Sequence, residues 1–462
     1  MSKRAKTFSL IAVLFLALTS FSANTEEAPV ADPTTTLAPI PRFARNKHVL
    51  PDRFLAKKRE HRYLTPMPIL GWDPDTGFNF GAMINFFDNG SKESPFFKIA
   101  PYKQEIFTWG YITTEGVFQV GGYFDQPYIF DTPWRVRSAV DFYSNPIQNY
   151  FGIGNAGDLL ISPFNGQAFN KYDSYKNDLK QTIGGVTYSS YDDYKQERIA
   201  YEAFAEYDLF GGYLRPLAGF RVAHIWVKDY SGNAESGGAV QGTTHLQADC
   251  NAGLAIGCNG GFDNFLKFGL TFDTRNFEPD PERGLLAESV LELSPKIFGS
   301  KYLYGRWTTS IHGYGKIIEY KEQQLTLAAR FLYSWQFGDV PFYSMNTYAF
   351  TERDRNGLGG LRTLRGFRQD RFIGPVTLLS NTELRWNFVE FNIFKQDIKL
   401  GSVGFLDAGR VFDANKDLTF SNWKLSGGGG MRLAWNLATI VVFDYGVSPE
   451  GNAFYMDLQH QF

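Results

Sequence analysis

The chain closes on Ala453-Phe454-Tyr455-Met456-Asp457-Leu458-Gln459-His460-Gln461-Phe462. Phe454, Met456, Leu458 and Phe462 alternate here with Ala453, Tyr455, Asp457, Gln459 and Gln461. Successive side chains of an extended strand point to opposite faces. One face is therefore apolar, broken only by His460, and the other is mostly polar. The segment before it repeats the pattern: Thr439, Val441, Phe443, Tyr445 and Val447 share a face, with Asp444 and Gly446 on the other. Strands that are apolar outside and polar inside are what a membrane barrel requires.

Working backward from Phe462, the same reading places strands near 452–462, 438–448, 422–436, 396–412, 376–388, 323–338, 302–320, 284–295, 264–276, 213–228, 195–209, 133–143, 117–126, 103–113, 77–87 and 66–72. About sixteen strands is an even number, as bacterial single-chain barrels have. The expected fold is all-β, a transmembrane antiparallel β-barrel over 66–462. Both termini then share one side, expected to be periplasmic. Connections near 144–194, 229–263 and 339–375 fall outside the cell, and short turns such as Phe210-Gly211-Gly212 and Asn436-Leu437 fall inside. The first strand is short and carries Pro66 and Pro68, which suit an edge.

Composition agrees. Aromatics make up 17% of the 462 residues, with 43 Phe and 25 Tyr, and there are 46 Gly. Mean hydropathy is only −0.26, because the apolar residues alternate with polar ones. Only a closed barrel satisfies every backbone group in lipid without helices.

The amino terminus has a positive start at Lys3, Arg4 and Lys6, an apolar run from Phe8 to Phe21, and small residues at Ser20, Ser22 and Ala23. That is the layout of a secretory signal peptide over 1–23. The run is too short for a spanning helix, which needs about 20 apolar residues. Residues 24–65 read as a lead, first Pro-rich and then basic. Positions 41–62 hold eight Lys/Arg against two acidic residues, a net +6, while the chain from 63 onward is −8. The basic stretch is expected to be a solvated linker, or else a periplasmic segment that touches anionic headgroups or plugs the barrel mouth. A short helix is expected after Pro51-Asp52, around Phe54 and Leu55.

Cys250 and Cys258 lie in a Gly/Asn-rich stretch and are expected to form a loop disulfide in an exported protein. No neighbouring His or acidic cluster completes a metal site with them. The six His, at 48, 61, 224, 245, 312 and 460, are scattered. No Gly-x-Ser-x-Gly elbow, His-Glu-x-x-His pair or phosphate-cradling loop occurs, so no catalysis, cofactor or metal is expected, and no nucleic-acid partner.

The connection 339–375 contains Gly359-Gly360-Leu361-Arg362-Thr363-Leu364-Arg365-Gly366-Phe367. Asn381-Thr382-Glu383-Leu384-Arg385 follows on one strand and Phe405-Leu406-Asp407-Ala408-Gly409 on the next. This ordered set resembles the BamA/TamA family of outer-membrane assembly barrels, in the bacterial surface antigen superfamily, which also takes in two-partner secretion transporters. Ile69-Leu70-Gly71-Trp72-Asp73-Pro74-Asp75-Thr76-Gly77 and the run Phe78 to Phe87 look like the family's opening hairpin. Phe272-Asp273-Thr274-Arg275 through Pro281-Glu282-Arg283-Gly284 looks like its mid-barrel turn. The resemblance covers residues 66–462. Two departures stand out: the family's periplasmic POTRA domains have no counterpart in the sequence, and His460 sits where the terminal strand favours an aromatic or apolar residue.

Alternation alone turns Glu383 inward with Asn381, Arg385 and Asn387, and turns Asp407 inward with Phe405 and Val403. Two lumenal carboxylates on neighbouring strands need a cation. The resemblance implies that the loop's Arg365 is folded into the lumen, where it would fork across Glu383 and Asp407. Gly366 would turn the loop tip, Phe367 would pack on the wall, and Phe405 and Gly409 are counted in the same structural lock. On patterning alone, Arg365 is equally a solvated loop residue, with the carboxylates lining a water-filled pore.

The resemblance further implies a weak lateral seam. Its first-strand side is Ile69, Leu70, Gly71 and Trp72, and its last-strand side is Phe454, Met456, Leu458 and Phe462. Such a barrel would help insert or translocate protein, or lipid, at the outer membrane. Its partners would be outer-membrane lipid, client outer-membrane proteins and a separate periplasmic protein. The alternatives are a passive pore, a structural barrel, or a surface-binding protein using the long loops.

Overall fold

The structure, a computed structural model, describes residues 39–462 apart from 235–236, 321–322, 352–354, 394–395, 436–438, 459 and 461. The expected signal peptide and the lead up to residue 38 lie outside the described residues, as do Asn436 and Leu437 of an expected turn.

Sixteen antiparallel strands form the wall: β1 (Arg62–Asp73), β2 (Gly77–Asp88), β3 (Gln104–Thr113), β4 (Phe118–Gln126), β5 (Trp134–Asn149), β6 (Asp193–Tyr207), β7 (Leu214–Lys228), β8 (Phe265–Asp273), β9 (Gly284–Ser294), β10 (Tyr304–Tyr320), β11 (Gln323–Gly338), β12 (Val376–Ile393), β13 (Gln396–Phe412), β14 (Lys424–Trp435), β15 (Thr439–Val447) and β16 (Asn452–Leu458). Each pairs with the next, and β16 returns to β1, so the sheet closes. The helices α1 (Asp52–Leu55), α2 (Tyr172–Leu179) and α3 (His245–Ala252) lie in the lead and loops. No described helix is long and apolar enough to cross a membrane.

The wall is apolar outside and charged inside, as alternation requires. Phe80, Ile84, Val140, Leu270, Phe331 and Leu406 are exposed on its outer surface, whereas Arg137, Arg306, Arg330, Glu383 and Asp407 are buried. In lipid the exposed set is the favourable one.

Several strand ends depart from the sequence expectation. The first strand is not the short 66–72 segment: it starts at Arg62 and runs to Asp73, paired with β2 from Arg62↔Asp88 to Asp73↔Gly77. The prolines misled because they spoil only one edge of a strand. β12 continues past Phe388 because a bulge between Asn387 and Val389 shifts the alternation by one residue. β5 continues through Pro146 to Asn149, pairing with β6 around a second irregularity.

The last strand stops at Leu458, so Phe462 does not end it. Beyond Leu458, the described residues His460 and Phe462 lie inside the barrel. There the Phe462 ring is buried against Tyr314 and Ala328, and Arg385 donates to its backbone oxygen at 3.0 Å. Placing Phe462 on the lipid face with Phe454 is therefore wrong. Two arginines explain this placement, since Arg330 and Arg385 lie over its ring at 5.0 and 5.4 Å.

Both described chain ends reach the same end of the barrel, which also carries the short β6–β7 connection at Phe210–Gly212. The long connections 150–192, 229–264 and 339–375 occupy the other end. Cys250, in α3, is disulfide-bonded to Cys258 within the 229–264 loop. The lead is packed on the barrel from residue 39 onward: Ala44 is fully buried, and Leu50 donates its N–H to the carbonyl of Lys98.

Candidate functional site

The 339–375 loop enters the lumen and carries Arg365 to the inner face of β12, β13 and β15. Arg365 is fully buried. Its Nε and Nη2 fork onto the two Asp407 oxygens, each at 2.9 Å. Its Nη1 reaches Glu383 Oε1 at 2.7 Å and Asp444 Oδ2 at 3.0 Å. The guanidinium also lies 3.4 Å from the centroid of Phe405, a stacked arrangement that a lysine ammonium cannot reproduce.

The surrounding charges balance. Arg385 donates to Glu383 at 2.9 Å, and Arg432 donates to both oxygens of Asp444. Three arginines thus face three carboxylates. Asn381 completes Asp407 with a 2.8 Å bond and donates to the loop carbonyl of Thr363. Removing any single member leaves a buried charge without compensation.

The loop tip is fixed by close approach. Gly366 has φ +97°, and a Cβ on it would sit 2.9 Å from backbone atoms of Gly446 and Val447. Its N–H donates to Tyr455 Oη, and Ser448 Oγ donates to its carbonyl. Phe367 packs in a buried cluster with Leu332, Leu358, Leu364, Phe372 and Val411. Gly409 leaves room for Leu358, since a Cβ there would come within 2.7 Å of the leucine.

Asp444 and Arg432 were not joined to the site by sequence reading, although alternation had already turned Asp444 inward. A signal was present in Gly427-Gly428-Gly429-Gly430 on β14. Cβ atoms at Gly428 and Gly430 would overlap Phe405 and the Asp444 carboxylate respectively, so the strand gives up side chains where the site needs space.

The seam is different in kind from the rest of the wall. Among the described residues, β1 and β16 share one register pair, Trp72↔Met456. On their other edges, β1 pairs with β2 along its whole length and β16 pairs with β15 from Val441↔Leu458 to Val447↔Asn452. Of the expected seam residues, Gly71 meets β16 most closely: a Cβ would lie 2.8 Å from the Met456 carbonyl. Phe454 faces outward beside the seam. Ile69 and Leu70 pair with β2 and have no described partner strand opposite. Among the described residues the β1 edge from Arg62 to Ile69 has no partner on β16, and this is not because β1 is short.

Loop and seam are physically linked. Arg362, three residues before Arg365, donates to Asp457 at 2.5 Å and to the backbone oxygens of Leu458 and His460. His460 breaks the apolar alternation because it is not on the lipid face. Its Nε2 lies 3.1 Å from Asp280 of the β8–β9 connection.

A closed sixteen-strand wall, apolar outside, with an arginine loop in its lumen and one described register pair between first and last strands, defines a membrane β-barrel with a loop-filled lumen. The chain belongs to the Omp85 superfamily, whose domain matches residues 117–461. A domain of unknown function, DUF5982, matches residues 41–103, the basic lead together with β1 and β2. Among solved structures, the chain is similar to BamA from Haemophilus ducreyi lacking POTRA domains 1–3, at 14% identity and TM-score 0.50, covering 87% of this chain and 71% of that one. It is also similar to CdiB from Escherichia coli, at 10% identity and TM-score 0.50, covering 88% and 69%. No curated protein matches the sequence.

Proposed function

We propose that this barrel aids insertion or translocation of protein, or lipid, at the bacterial outer membrane by opening between β1 and β16. The observation that carries this reading is the seam with its single register pair, Trp72↔Met456. A wall breaks first where the fewest backbone hydrogen bonds hold it. The edge of β1 that has no partner among the described residues then offers N–H and C=O groups to a client strand by β-augmentation. In this reading both chain ends face the periplasm, the long loops face outward, and the chain carries out no reaction of its own. Its partners are outer-membrane lipid, client barrels and a separate periplasmic protein that delivers them.

The filled lumen argues against a passive pore. In planar bilayers the native protein is expected to show low, unsteady conductance, whereas a large steady current would favour the pore. Reconstituted in liposomes, the protein is expected to speed the folding of an unfolded client barrel. No acceleration, with or without a periplasmic chaperone, would overturn the assembly reading.

A further inference from the structure

We propose that residues 39–61 are a lid on the short-turn mouth, held by the same barrel connection as the carboxy-terminal tail, so that lifting the lid frees the tail beside the seam. The lead touches the wall at widely separated places. Phe43 packs on Phe96 and Tyr128, with ring centroids 6.1 and 5.9 Å away. Asn46 donates through its backbone and side chain to the carbonyls of Gly211 and Phe210, both at 2.9 Å. Phe54 of α1 sets its ring edge against Phe277, centroids 5.7 Å apart. Lys57 pairs with Asp397 at 2.5 Å. Lys58 is buried and donates to the carbonyls of Phe97 and Ala100, each at 2.6 Å.

These contacts fall on the β2–β3, β4–β5, β6–β7 and β8–β9 connections and on the start of β13. A segment bound at so many points around one rim must cross the opening between them. A solvated linker would make no such set of contacts, and the entropy of ordering it is offset only by burial and bonding of this kind.

The tail is fastened at one of the same points. His460 meets Asp280, three residues from Phe277 on the β8–β9 connection. Lys399, two residues from Asp397, donates to the other oxygen of Asp280 at 3.1 Å. Lid and tail therefore share the 274–283 connection, which Lys399 ties to the first residues of β13 where Lys57 of the lid is held. Pulling Phe54 and Lys57 away removes the outer support of the connection that holds His460. Leu458 at the end of β16 and Phe462 lie two residues to either side of His460.

The test uses the full chain, folded in detergent and checked by heat-modifiable gel mobility. Trypsin reads the lid at the exposed Arg42 and Arg45, and carboxypeptidase A reads the tail by releasing Phe462. Phe54→Ala combined with Lys57→Ala is expected to speed both cleavages about tenfold, as the open population rises. Asp397→Asn changes the barrel side of the same contact and should move both in the same direction, which guards against a folding defect in the double variant. Faster trypsin cleavage with unchanged Phe462 release would overturn the coupling. Unchanged trypsin cleavage would overturn the lid. Neither readout involves a client, so failure here is separate from failure of the insertion reading.

Discussion

Replacing Arg365 with alanine is expected to lower the heat-modifiability transition of the folded barrel more than truncation of any lipid-facing side chain. The substitution removes the fork on Asp407 and the bonds to Glu383 and Asp444. Three buried carboxylates are then left with Arg385 and Arg432. An uncompensated buried charge costs about 3–5 kcal/mol, well above the ~1 kcal/mol typical of point substitutions. Arg365→Lys should recover little, because a point charge cannot fork onto Asp407 while reaching Glu383 and stacking on Phe405. Melting followed by gel mobility, with both variants beside the parent, checks this. An unchanged transition in Arg365→Ala would mean that the lumenal contacts do not support the fold.

Gly366→Val is expected to drive the loop tip off the wall while leaving every charged residue in place. The position needs a positive φ, and a β-branched residue pays about 1–3 kcal/mol for such backbone. The new Cβ would also meet the backbone of Gly446 and Val447, which cannot swing aside like a side chain. Overpacking of this kind adds about 1–3 kcal/mol. With the tip withdrawn, Arg365 cannot hold its three partners, and the lumen opens. Single-channel recording should show a larger and steadier current than the parent protein, together with a lower melting transition. A current equal to the parent's would show that the tip does not block the lumen.

The wall was readable from sequence because one physical demand, apolar outside and polar inside, repeats every two residues. β13 and β11 begin and end where alternation placed them. Misplacement followed wherever the period itself broke. The bulge at Asn387 and Val389 hid the end of β12, and Pro66 and Pro68 hid the beginning of β1. The tail shows a deeper limit. Phe462 continues the outward alternation of Phe454, Met456 and Leu458, yet it lies in the lumen under Arg330 and Arg385. Local pattern cannot announce a partner more than seventy residues away. His460, which breaks the apolar alternation, was the one local sign that the strand had ended.

The loop site was partly legible for the same reason. Glu383 and Asp407 were turned inward by alternation, but the arrival of Arg365 between them rested on resemblance, since a loop has no period to read. Asp444 and Arg432 could not have been added from charge neutrality, because Arg365 and Arg385 already balance Glu383 and Asp407. Two carboxylates and one arginine near Arg385 do not identify a third acid, but a glycine run facing an inward Asp444 marks where the space was needed.

The seam can be locked directly. Trp72 and Met456 are register partners, and directly opposed strand residues lie close enough for a disulfide. Trp72→Cys with Met456→Cys, in a background with Cys250→Ser and Cys258→Ser, allows the seam to be closed by oxidation and reopened by reductant. Client folding in liposomes should stop when gel mobility shows the cross-link, and should return on reduction. Equal acceleration by the fully cross-linked and the reduced barrel would contradict a function that depends on opening between β1 and β16.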